Sequence, residues 1–170
     1  MATQTNAPLP EGLEVGGYRI VRKISSGGFS IVYLAEDESG VQYAIKEYLP
    51  SSLVQRAAGE LEPRVAEASE PTFLNGLRCF FEEGRALARI FHPNVVRVVN
   101  FFRANGTVYL VMAYERGRSL QELVLRHRGR HHGRTLAERH LLRVFHLAMN
   151  GLREVHANRL LHLDLKPANV

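Results

Sequence analysis

One cysteine, Cys79, stands alone among 170 residues. No internal disulfide can form, which fits a reducing compartment. Long apolar runs are also missing: none approaches the ~18 residues that a membrane-spanning helix needs. The opening stretch MATQTNAPLPEG has no apolar centre of the signal-peptide kind. These absences point to a cytoplasmic chain, or the cytoplasmic part of a longer one, with no membrane segment in this stretch. Charge of one sign is scarce except in one place. The net +5 is concentrated between Arg118 and Arg143, where seven arginines face only Glu122 and Glu138. That stretch, RHRGRHHGR at 126–134, has no interleaved aromatics and no surrounding nucleic-acid motif, so a solvated basic loop is expected rather than a nucleic-acid site. Histidines 127, 131, 132, 140 and 146 come without cysteine and without the tight spacing of a metal set.

What is present suffices for a domain with a true core, since apolar residues make up 45% of the chain. Residues 1–16 are polar, carry Pro8, Pro10 and Gly12, and read as a disordered lead-in. Alternating, β-branched stretches predict strands over 18–24, 30–37, 41–48, 95–102 and 107–114. The last two are joined by RANG, whose Asn-Gly pair signals a hairpin. The stretch 49–71 is rich in proline and serine and reads as an irregular insertion. Residues 72–91 have helical apolar spacing, with Gly84 inside at a cost of about 1 kcal/mol relative to alanine. SLQE at 119–122 and TLAE at 135–138 are capping-box patterns that open two further helices. The second helix repeats apolar residues at Leu141, Phe145, Ala148, Leu152 and Val155.

Three places carry chemistry. SSGGFS at 25–30 joins two strands, and Gly27 and Gly28 let a backbone approach phosphate closely. Lys46 follows Val32 by fourteen residues, on a strand whose alternation places it beside Ala44 and opposite Val41, Tyr43 and Ile45. A half-buried lysine calls for an anion, either a phosphate or a carboxylate. HLDLKPAN at 162–169 crowds Asp164, Lys166 and Asn169 into one turn. There an aspartate can accept a hydroxyl proton, a lysine can neutralise a phosphoryl oxygen, and an amide oxygen can ligate Mg²⁺.

Taken in order, SSGGFSIV, YAIK, Glu83 nine residues before HPN, YLVMAYERGRSL and HLDLKPAN resemble the eukaryotic-type serine/threonine protein kinases, including those of bacteria. The resemblance runs from Tyr18 to Val170. It implies an α+β fold: a five-stranded antiparallel N-lobe with one helix over 17–114, interrupted by the 49–71 insertion. A hinge and the first helices of an incomplete helical C-lobe would follow over 115–170. It implies ATP and Mg²⁺ as cofactors and a protein Ser/Thr hydroxyl as substrate. Lys46 would contact the α/β-phosphates and be held by Glu83, which counting back from His92 favours over its neighbour Glu82. Ile24, Val32 and Ala44 would roof the adenine, and Ser25, Ser26, Gly27, Gly28 and Phe29 would cover the phosphates. Met112 would be the gatekeeper, with the backbones of Ala113 and Glu115 meeting the adenine edge. Asp164 would be the catalytic base, Lys166 would meet the γ-phosphate, and Asn169 would hold a Mg²⁺.

The sequence also departs from the family pattern. Ser25 and Ser30 stand where the loop usually has glycine, which implies weaker nucleotide binding. Leu163 replaces the arginine before the catalytic aspartate, so control through a phosphorylated activation loop is not expected. No D-F-G follows the catalytic loop before Val170, which implies a fragment of a longer kinase, itself inactive. The competing reading is a non-catalytic module that binds nucleotide or a partner.

Overall fold

The structure, a computed structural model, describes residues 5–130 and 136–170. It divides into a first unit running to Tyr114 apart from Ile90–Val96, and a second made of Ile90–Val96 and Glu115–Val170.

The first unit is built on an antiparallel sheet of β1 (Glu14–Val15), β2 (Tyr18–Ser26), β3 (Ser30–Glu36), β4 (Gln42–Tyr48), β7 (Val98–Ala104) and β8 (Thr107–Ala113), in the order β1-β2-β3-β4-β8-β7. The insertion contributes a two-stranded hairpin, β5 (Val54–Gln55) and β6 (Arg64–Val65), then a 3₁₀ turn at Glu67–Ser69 and helix α1 (Glu70–Leu87). All five expected strands form. β7 begins three residues later than its apolar run suggests, and β1 is an addition.

Alternation sorts the sheet into two faces. Ile31, Tyr33, Ala35, Ile45, Tyr109 and Val111 share one face and are almost wholly buried. They are covered by Leu9 and Val15 from the N-terminal segment and by Leu49 and Val54 from the insertion. The expectation of a disordered lead-in is therefore corrected for residues 5–16. Leu9 and Val15 supply enough apolar surface to dock, and the segment's backbone groups find partners: Ala7 N donates to Arg56 O (3.0 Å), Leu9 N to the Tyr33 hydroxyl (3.1 Å), and Ile20 N to Leu13 O (2.8 Å).

Helix α1 opens with Pro71 in its first turn, where a missing N–H costs nothing, and ends at Leu87 rather than at 91. It lies against β7 and β8 so closely that a Cβ on Gly84 would meet Leu110 Cδ1 at 2.7 Å. Tyr48, at the start of EYLPSSL, packs on the same helix, 5.7 Å from the Phe73 ring and 5.4 Å from Phe80.

The second unit holds α2 (Leu120–Arg130) and α3 (Glu138–Ala157). Ser119 caps α2 as its motif predicts, its hydroxyl accepting from Glu122 N at 3.2 Å. The basic stretch is corrected in part: Arg126 to Arg130 are the last turns of α2, not loop, with Gly129 inside the helix. Basic groups at that end complement the helix dipole. The remainder of the stretch, 131–134, lies outside the described residues, as does Thr135 of the second capping box. α3 itself starts at Glu138 after Ala137, without a side-chain cap. Its buried stripe is Gly151 and Val155, whereas Phe145 remains 58% exposed. A Cβ on Gly151 would fall 2.6 Å from the Asn94 carbonyl oxygen, so α3 packs directly on the HPN turn.

Candidate active site

The second face of the first unit's sheet collects the residues expected to meet nucleotide. Val32 pairs with Lys46 and Lys46 with Leu110; Leu34 pairs with Ala44 and Ala44 with Met112. Directly paired residues share a face, so two adjacent rows present Val32, Lys46, Ala44 and Met112 together. Ile24 sits at the irregularity between Lys23 and Ser25, where β2 has one residue more than β3, and is 38% exposed. Ala113 ends β8 with its N–H on Arg97 O at 2.8 Å. Glu115, exposed, opens the longer segment of the second unit.

Lys46 does not meet Glu83. Its Nζ lies 5.4 Å from the centroid of the Phe80 ring, a cation–π contact one helical turn from Glu83. Glu83 is exposed, and among the described residues no ion pair joins it to Lys46. Its rival Glu82 instead faces Arg85 at 3.7 Å.

The strand-connecting loop is ordered by backbone bonds. Gly27 N donates to Ser30 O (2.9 Å). Leu49 N donates to Phe29 O (2.9 Å), and Ser51 N (2.9 Å) and Oγ (3.2 Å) both donate to Gly28 O. Gly27 has open space where a Cβ would stand, so it leaves the backbone bare rather than relieving a clash. Ser25 and Ser26 end β2 and are exposed, as is Phe29 at 72%.

In the second unit, Asp164, Lys166 and Asn169 converge. Lys166 Nζ lies 2.8 Å from Asp164 Oδ2. Asn169 Nδ2 donates to the Asp164 carbonyl (2.9 Å) and to its Oδ2 (3.0 Å). The hydrogen bond from Lys166, helped by that from Asn169, holds the Asp164 carboxyl below the usual carboxylate range. The chain reaches this arrangement through a tight turn: Asp164 N bonds His162 O at 2.6 Å, and Leu163 between them takes φ 51° with 90% of its surface exposed. A 3₁₀ turn at Pro167–Asn169 follows, and Val170 O accepts from Leu120 N at 2.6 Å, fastening the loop to the start of α2. Asn169 spends its amide nitrogen on Asp164, which leaves its amide oxygen as a hard donor suited to Mg²⁺.

Sequence reasoning missed the group beneath the other face. Glu47 is fully buried and bound to Arg56, with both side chains inaccessible. The signal was present: alternation puts Glu47 on the apolar face, and a buried carboxylate requires a partner.

Comparison with known proteins agrees with this geometry. The protein kinase domain family matches residues 18–170. Serine/threonine-protein kinase ATG1c of Arabidopsis thaliana is 30% identical over 94% of this chain, and the probable serine/threonine-protein kinase pknA2 of Bifidobacterium longum is 33% identical over 95%. This chain spans only 18% and 19% of those two proteins. The solved structure titled "PpkA-294 apo form" superposes with a TM-score of 0.84 at 32% identity, covering 95% of this chain and 56% of that one. The PknI kinase domain of Mycobacterium tuberculosis shares the fold, with a TM-score of 0.72 at 22% identity over 96% of this chain and 58% of that one. With the family matched over nine-tenths of its length and its short motifs in order, this chain belongs to the protein kinases.

Proposed function

We propose that the complete protein transfers the γ-phosphoryl group of ATP to Ser/Thr hydroxyls of proteins. The observation that carries this reading is the Asp164–Lys166–Asn169 cluster. A carboxylate kept ionised by a lysine and an amide is ready to accept a hydroxyl proton, beside a cation for the phosphoryl oxygens. Lys46 and the Gly27–Gly28 backbone would engage the phosphates of ATP. Val32, Ala44 and Ile24 would cover its base, and Met112, Ala113 and Glu115 would border it. Mg²⁺, held by Asn169 when bound, supplies charge neutralisation for the phosphates. In this reading Glu83 replaces Phe80 as the partner of Lys46 in the working state, and the protein acts in the cytoplasm.

The test is phosphotransfer from labelled ATP by the full-length protein to Ser/Thr-containing protein substrates. Asp164→Asn and Lys46→Met should each lower turnover at least a hundredfold, the scale of a lost general base or charge clamp. A second reading, a module that binds nucleotide or a partner without turnover, is favoured by the Lys46–Phe80 contact. Mg²⁺-dependent ATP binding with no phosphotransfer, unchanged by Asp164→Asn, would establish it instead.

A further inference from the structure

The insertion that begins at Leu49 reaches back to the phosphate loop. Residues Pro50 to Leu53 form a turn, with Leu53 N and Val54 N both on Pro50 O (3.0 and 3.1 Å), and Pro50 is buried. The first central residue of this turn is Ser51, whose N–H and hydroxyl both point at the Gly28 carbonyl. With the bond from Leu49 N to Phe29 O, the β3–β4 ladder continues past its last pair, Ser30 with Tyr48, into the loop. The far side of the turn is equally fixed. Val54 is buried, and Arg56 two residues on is tied to Glu47, Tyr33, Ala7 and Leu61. Loop tips that carry serine and glycine are ordinarily mobile; this one is bonded to an anchored neighbour.

We propose that Ser51 is a positioning residue for nucleotide binding: it holds the Gly28–Phe29 backbone in place so that ATP meets a preformed loop. The inference rests on the kinase reading above and deepens it. Preorganisation removes the ordering cost from the binding step, and here it is delivered from the insertion rather than from loop glycines. Ser25 and Ser30 are then tolerable, because the loop is not required to find its conformation after ATP arrives.

The test uses Mg·ATP titrated calorimetrically against the full-length protein, with amide hydrogen exchange of Leu49 in the absence of nucleotide as a second readout. Ser51→Pro suits the first central position of such a turn yet removes both donors. It should weaken Mg·ATP binding about five- to tenfold, the scale of two modest hydrogen bonds, and accelerate Leu49 exchange without lowering the melting temperature. Ser51→Ala keeps the N–H and should weaken binding about twofold, and Ser51→Thr should restore wild-type values. Wild-type affinity and unchanged Leu49 exchange in folded Ser51→Pro, or in Ser51→Ala if the proline variant does not fold, overturn the proposal. So does a loss of melting temperature with affinity intact, which marks a purely structural serine. If the wild-type protein binds no Mg·ATP, the kinase reading fails instead, and Leu49 exchange still reports whether the tether holds the loop.

Discussion

Glu47 accepts four hydrogen bonds with no exposure to water. Oε1 takes Arg56 Nη1 (2.5 Å) and the Tyr109 hydroxyl (2.9 Å); Oε2 takes the Tyr33 hydroxyl (2.7 Å) and Arg56 Nη2 (2.8 Å). Breaking such a pair from one side strands a charge, so Arg56→Met should destabilise the first unit by about 3–5 kcal/mol. Replacing both partners with apolar residues of similar volume should cost much less. Urea denaturation of the two variants checks the asymmetry. The tyrosines add a pH dependence. Burial first, then the Glu47 charge, raises both hydroxyl pKa values far above the ordinary value of about 10. Because the folded values are the higher ones, the stabilisation is complete below about pH 10 and is lost as pH rises through that value toward the folded ones. Tyr33→Phe should flatten the fall of the urea midpoint above about pH 10, by up to one proton's worth of slope.

At the scale of elements, α1 shows what periodicity conveys and what it leaves out. Apolar spacing over 72–91 announced a helix and marked Gly84 as a local weakness. The spacing could not show that Leu110, on a strand formed later in the chain, comes within 2.7 Å of where a Cβ would be. Gly84→Ala gains about 1 kcal/mol of helix propensity but must displace α1 or Leu110. Overpacking of that kind costs typically 1–3 kcal/mol. The substitution should therefore be neutral to destabilising by about 2 kcal/mol, where propensity alone predicts a gain; a thermal melt decides the sign. Lys46 teaches the same lesson. Its strand and face were legible from a period of two, yet its neighbour was not: Glu83 and Phe80 lie one turn apart on α1, and the rotation of the helix selects Phe80. Phe80→Ala should release Lys46 and, if Glu83 is its working partner, raise affinity for Mg·ATP, measurable by the same titration used for Ser51. The basic run was read as loop because glycines interrupt it, whereas arginine is a good helix former and one glycine did not end α2 at Gly129.

On the scale of the whole molecule, legibility follows distance along the chain. The motifs that identify the family are short, and their order alone exposed the fold and the clusters at Lys46 and Asp164. The covering of the sheet's other face was hidden, because its contacts join residues about fifty positions apart in segments with no periodicity, as between Asn6 or Ala7 and Arg56. A proline-bearing polar opening looks disordered until Leu9 is found 3% exposed and Val15 is seen pairing with Tyr18. The N-terminal segment should therefore act as a structural part of the first unit. Deleting residues 1–13 removes the burial of Leu9, worth about 1.5–3 kcal/mol, and strips the Ala7 carbonyl from Arg56 Nε and the Asn6 carboxamide from Arg56 N. With Arg56 partly uncovered, the 49–66 segment loses one wall of its packing. The truncated protein should melt several degrees lower, and limited proteolysis should cut within 49–66 well before the intact chain is cut there. A genuinely disordered lead-in would leave both the melting temperature and the cleavage pattern unchanged.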